Sequence, residues 1–229
     1  MEIKKESVQN YLYPILRDQW RILFGTETEI QLHKWLIKYK SDCLFLYNVH
    51  GLLTGDSYDI LKDEQQKLVY KKTASTLDIM DELSTLHISI AIAKQAIQMF
   101  CDYLYDYLPL GSVVILNKKY LGKAFDVDDI QEVRFVITQR FATVPDTETF
   151  YPYGGVLYPI GHIEGERVLY FTPPLIEKIQ FFGFQDVTDY AYLVEMREEL
   201  LKKRAYQSIA FIDSDKREQA QKVIERIGR

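Results

Sequence analysis

In Tyr107-Leu-Pro-Leu-Gly-Ser-Val-Val-Ile-Leu116 a helical pattern ends and a strand pattern begins. Pro109 has no backbone N–H and biases Leu108 away from the α region, so a preceding helix cannot run through it. Val113, Val114, Ile115 and Leu116 then form a short, mostly β-branched apolar run, the composition of a buried strand. Two parts follow: residues 1–106, a helical region, and residues 107–229, an antiparallel β-sheet domain with C-terminal helices. The class expected is α+β: a helical N-terminal half, a small antiparallel sheet domain, then helices.

Upstream of the break, residues 7–24 place Val8, Leu12, Ile15 and Leu16 on one helical face, with Trp20, Leu23 and Phe24 on its flank. Pro14 either kinks this helix or sits in its first turn. Gly25 ends it, and Thr26-Glu-Thr-Glu29 has the pattern of a capping box opening a second helix to about Lys40. Residues 43–55 fit either a strand or a buried helix. A polar helix is expected near 58–71, and a long one over 76–106, where Leu83, Leu86, Ile90, Ile97, Phe100 and Leu104 keep three-or-four spacing.

Downstream, residues 132–141 alternate. Val133, Phe135, Ile137 and Phe141 share one face, Arg134, Thr138 and Arg140 the wet one. Tyr151-Pro-Tyr-Gly-Gly155 predicts a turn, Glu166–Phe171 a strand, Thr172-Pro-Pro174 a helical turn and Ile179–Phe184 another strand. Asp186 or Thr188 then caps a helix with Leu193, Met196 and Leu200 inward, and Asp215-x-x-Glu218 begins a last amphipathic helix.

With 47% hydrophobic and 27% charged residues the chain has the balance of a globular protein, so global disorder is not expected. Its net charge of −5 leaves no basic excess to neutralise a phosphate backbone, which argues against a nucleic-acid partner. No apolar run approaches the ~18–20 residues that span a bilayer, and no signal-peptide core opens the chain, so a cytoplasmic location without a membrane partner is expected. Of 17 tyrosines and 12 phenylalanines, 10 and 9 lie at or beyond Tyr105. Such aromatic enrichment suits either a packed sheet or a protein-binding surface.

Catalytic patterns are sparse. His33, His50, His87 and His162 stand far apart and none has metal-ligand spacing. His162 with Glu164 and Glu166 is the one local His–acid cluster, in a Gly-flanked turn. Asp126, Asp128 and Asp129 lack the later glycine and closing Glu of a calcium loop. Lys118, Lys119 and Lys123 suit a solvated hairpin tip, and Cys101, on the long apolar stripe, suits inert packing. No phosphate loop, dinucleotide fingerprint or nucleophile elbow occurs. The expectation is a non-enzymatic chain with no catalytic residue, cofactor or metal.

Three segments, Leu108-Pro-Leu-Gly-Ser-Val-Val-Ile-Leu116, Tyr151-Pro-Tyr-Gly-Gly-Val-Leu-Tyr-Pro-Ile-Gly161 and Phe171 through Glu177-Lys-Ile-Gln-Phe-Phe-Gly-Phe184, resemble a small domain of Gram-positive bacteria. That family is a domain of unknown function from type VIIb secretion loci, found beside toxins that carry an LXG domain. Its pattern is Leu-Pro-x-Gly-Ser-Val-Val, then Tyr-x-Gly-x-x-Tyr-Pro-x-Gly, then Ile-x-x-Ile/Val-x-Phe-x-Gly. Family members pass from the first strand to the second through a short turn, where this chain has Asn117–Gln131. The resemblance covers about 105–200 and implies a cytoplasmic chaperone or adaptor. Its partner would be an LXG toxin, with or without small helical accessory proteins, bound before export. Tyr151, Tyr153 and Tyr158 are the partner-binding candidates. The alternatives are an immunity protein that neutralises the toxin, and an enzyme of unknown reaction assembled around His162.

Overall fold

Helix α1 (Lys5–Phe24) and helix α2 (Thr26–Leu36) are separated by a single residue, Gly25, whose φ of 86° is open to glycine at little cost. A computed structural model of the protein describes residues 5–55, 59–117, 132–161 and 168–227. The chain folds as two units, Lys4–Asp106 and Tyr107–Arg229. The class is α+β.

In the first unit α2 passes into a 3-10 turn (Ile37–Tyr39), followed by α3 (Leu44–Thr54), four strands, and α4 (Ile90–Leu104). The strands β1 (Ile60–Asp63), β2 (Leu68–Lys72), β3 (Thr76–Met80) and β4 (Thr85–Ser89) form an antiparallel meander in chain order. Helical residues Leu12, Leu16, Trp20, Leu32, Leu46, Val49, Ile97 and Phe100 are buried, with Trp20 stacked on Phe100 at 6.2 Å. From the sheet, Leu68, Tyr70, Leu77, Ile79 and Ile88 join the core.

Two helix expectations fail here. Residues 58–71 hold β1 and β2 where described, and 76–89 hold β3 and β4. The three-or-four spacing of Leu83, Leu86 and Ile90 is coincidental. Leu83 is 96% exposed at a hairpin tip, where the Asp81 carboxylate accepts from the Leu83 and Ser84 amides at 2.9 and 2.8 Å. The period that governs is the alternation of Leu77 and Ile79 with Thr76, Asp78 and Met80. The long helix starts only at Ile90, after Ser89 accepts from the Ile92 amide at 3.3 Å. The capping box is also not made: Gly25 is the N-cap, and Glu29 is buried against Arg17 at 2.5 Å. Helix α1 begins at Lys5, so Pro14 lies inside it.

The second unit has β5 (Val113–Leu116), β6 (Arg134–Val144), β7 (Thr149–Leu157), β8 (Leu169–Phe171), a 3-10 turn (Pro173–Leu175) and β9 (Ile176–Phe181). Then come α5 (Val187–Arg197), continued by a π-helical turn (Glu198–Lys203), a short β10 (Gln207–Ser208) and α6 (Ser214–Ile227). The strand order is β10-β7-β6-β5-β9, with β8 also on β7; the β10–β7 pair is parallel and the others antiparallel. As expected, Asp186 caps α5, accepting from the Thr188 and Asp189 amides at 2.9 and 3.0 Å.

Three sequence readings are corrected in this unit. Tyr151–Gly155 is not a turn but the middle of β7. Its glycines serve close approach: a Cβ on Gly154 would lie 2.9 Å from Val168, and one on Gly155 2.8 Å from the Val136 carbonyl. Arg140 is not on a wet face. The β6–β7 register shifts between Ile137 and Gln139, so the simple alternation stops at this bulge and Arg140 is buried. Finally, the strand expected at Ile179–Phe184 starts at Ile176 and ends at Phe181. Among the described residues no helix is long and apolar enough to cross a membrane.

Candidate protein-binding site

The site is built on the turn that opens the second unit. Pro109 supplies its carbonyl to the Ser112 amide at 3.3 Å and to the Ser112 hydroxyl at 2.8 Å, and Gly111 takes φ of 80°. The Gly111 amide donates to the Ile137 carbonyl and the Ile137 amide to the Ser112 carbonyl, both at 2.8 Å, so the turn is tied to β6 just before its bulge. Gly183 is pressed against the same turn. Its amide donates to Ser112 Oγ at 3.0 Å, and a Cβ there would collide with the Leu110 carbonyl oxygen.

That close passage holds Phe182 and Phe184 on either side of Gly183, next to Leu110. Leu110, Ile179, Phe181, Phe182, Phe184 and Val187 are all exposed, Phe184 to 82% and Phe181 to 61%. Strand β9 pairs with β5 alone among the described residues, and its residues from Glu177 to Phe181 are exposed throughout. A run of large apolar side chains on a last strand and the loop after it is what a soluble monomer normally avoids. The β5–β9 pairing also carries two register irregularities, a device that discourages edge-to-edge strand addition, so side-chain packing is the mode this surface favours.

Beside it lies a shallow depression of about 240 Å³ lined by Leu110, Thr138, Gln139, Arg140, Ala142 and Tyr192. Its floor is ionic. The Arg140 guanidinium makes two hydrogen bonds to Asp189, one of them at 3.2 Å, and Gln185 donates to Asp189 at 2.9 Å. The guanidinium lies 5.1 Å from the Tyr192 ring, and partial burial raises the Tyr192 pKa. With its charge matched by Asp189, Arg140 fixes α5 against the sheet.

The three tyrosines expected at the interface are not brought together. Tyr153 is 0% exposed and its hydroxyl accepts from the Leu108 amide at 2.8 Å, so it is a core residue that anchors the opening turn. Tyr151 is half-buried, 5.3 Å from Tyr170 and packed on the Val144, Ile209, Ile212 and Ala220 cluster. Tyr158 alone is well exposed, together with Ile160. Sequence reasoning misses the exposed phenylalanines because Ile179–Phe184 reads as an ordinary strand; the density of Phe181-Phe-Gly-Phe184 is the signal that could have found them.

Among the described residues no group of three or more His, Cys, Asp or Glu side chains could hold a metal ion. Cys101 is fully buried, and burial raises its thiol pKa well above the usual range. His33 pairs with the Tyr13 hydroxyl at 2.7 Å and His87 with Asp78 at 2.7 Å. His162, Glu164 and Glu166 lie outside the described residues, as do Lys118, Lys119, Lys123, Asp126, Asp128 and Asp129.

Residues 107–191 match the family model described as Domain of unknown function (DUF4176). The matched stretch contains all three segments on which the resemblance rests, and it runs from the opening turn into α5. No curated protein and no solved structure matched.

Proposed function

We propose that the unit Tyr107–Arg229 is a protein-binding module and that the chain is a non-enzymatic chaperone or adaptor. The observation that carries this is the exposure of the large apolar side chains Leu110, Ile179, Phe181, Phe182, Phe184 and Val187, of which Leu110 also lines the depression at Arg140. Exposed large aromatic side chains are the usual anchors of a protein interface. The partner is an LXG-type toxin bound in the cytoplasm before export by the type VIIb system. That assignment rests on the three sequence segments, not on the geometry.

The test is retention of the full chain by the toxin encoded beside it, and separately by that toxin's LXG region and its C-terminal toxin region. Binding to the LXG region is expected, weakened roughly tenfold or more by a Phe181→Ser/Phe184→Ser double variant. Binding confined to the C-terminal region, with rescue of growth, would assign the immunity role instead. Retention by neither region at micromolar concentration would sink the proposal.

A further inference from the structure

The first unit contains two cysteines, Cys43 and Cys101. Cys43 is the N-cap position of α3, and Cys101 lies in the last turn of α4. Both are free and buried. They are also neighbours: Cys101 Sγ lies 3.8 Å from the Cys43 carbonyl oxygen. They stand 58 positions apart in the chain, and that interval holds the whole four-stranded sheet β1–β4. No local turn requires this proximity; the packing of α3 on α4 brings it about.

We propose that Cys43 and Cys101 are a redox-active pair that closes into an intramolecular disulfide, linking α3 to α4 around the sheet. The oxidant is a peroxide. One thiol, deprotonated, attacks a peroxide oxygen, forming a sulfenic acid and releasing water. The second thiol attacks that sulfur and expels a second water, so two protons and two electrons pass to the peroxide and one S–S bond forms. Burial holds the Cys101 thiol in the unreactive protonated form, so the reaction proceeds through opening of the α3–α4 contact and is slow in the closed protein. Once formed, the bond closes a long loop of the unfolded chain and stabilises the fold.

The experiment is native-condition oxidation of the full chain with hydrogen peroxide, followed by intact mass, thiol titration and peptide mapping. A loss of about 2 Da with disappearance of both thiols and a Cys43–Cys101 cross-linked peptide is expected. Thermal unfolding should rise by roughly 10 °C and fall back on addition of dithiothreitol. Sub-denaturing urea should speed closure, because it populates the opened contact. Mass gains in steps of oxygen without the link, covalent dimers as the sole product, or thiols that stay unreacted would each overturn the proposal. A Cys43→Ala variant sharpens the readout: it should retain its second thiol as a sulfenic acid or a mixed adduct. The wild-type mass measurement decides the matter even if that variant does not fold.

Discussion

The two sheets of this protein use aromatic residues in opposite ways. In the first unit they close on each other: Tyr39 donates to Asp63 at 2.5 Å and meets Tyr70 at 2.6 Å, while Trp35 donates to Tyr70 at 3.1 Å. Every member is buried, and the network joins the helical layer to β1 and β2. Burial, Tyr70 and Asp63 together hold the Tyr39 phenol far above its ordinary pKa, and burial raises that of Tyr70 to about 12. In the second unit the aromatics divide. Tyr107, Phe141, Phe150, Tyr153 and Phe171 fill the interior, whereas Phe181, Phe182 and Phe184 face outward on the last strand and its loop. Ring content alone therefore says little; what a ring does depends on whether the assembled unit covers it.

That contrast can be broken most sharply at the ionic floor. Asp189→Ala would leave the Arg140 guanidinium, 3% exposed, without its carboxylate. Loss of about 3 kcal/mol is expected in chemical denaturation, because a buried charge is left uncompensated. If the loss is below about 1 kcal/mol, the pair is not structural. In the first unit, Tyr39→Phe removes the donor to a buried carboxylate and should cost about 2 kcal/mol. It should leave toxin binding unchanged, which separates the closed network from the open surface.

Gly183→Ala is expected to cost about 1–3 kcal/mol, since the added methyl meets backbone rather than a flexible side chain. It should also displace Phe182 and Phe184, so partner binding falls with it. The smallest stability effect belongs to Phe181→Ser/Phe184→Ser, within about 0.5 kcal/mol of wild type by denaturation because both rings are exposed. A large destabilisation by this double variant would show that these rings are packed in solution, and would remove the surface on which the proposed function stands.

Much of the helical architecture was legible because it is local. Helices α1, α2 and α6 are written in apolar spacing and α5 in its Asp186 cap, signals that act within a few turns. The candidate site was only half legible. The Pro109–Ser112 turn stands out from its Pro and Gly, but the tyrosines of β7 read as surface residues whereas Tyr153 lies in the core. Gly154 and Gly155 look like turn residues, and no local signal distinguishes them from glycines that let strands approach.

By itself, then, the sequence determined the α+β class, the break at Leu108–Leu116 and the Asp186 cap, since backbone chemistry and residue periodicity operate over short distances. Tertiary structure alone decided the rest. Residues 60–89 became strands because each could pair with a neighbour, which outweighs a weak helical period. Arg140 turned inward because a bulge broke the alternation, and it could stay there because Asp189 arrived on α5. The exposure of Phe181, at the end of β9, and of Phe184, in the loop after it, is a property of the assembled unit and not of any one strand.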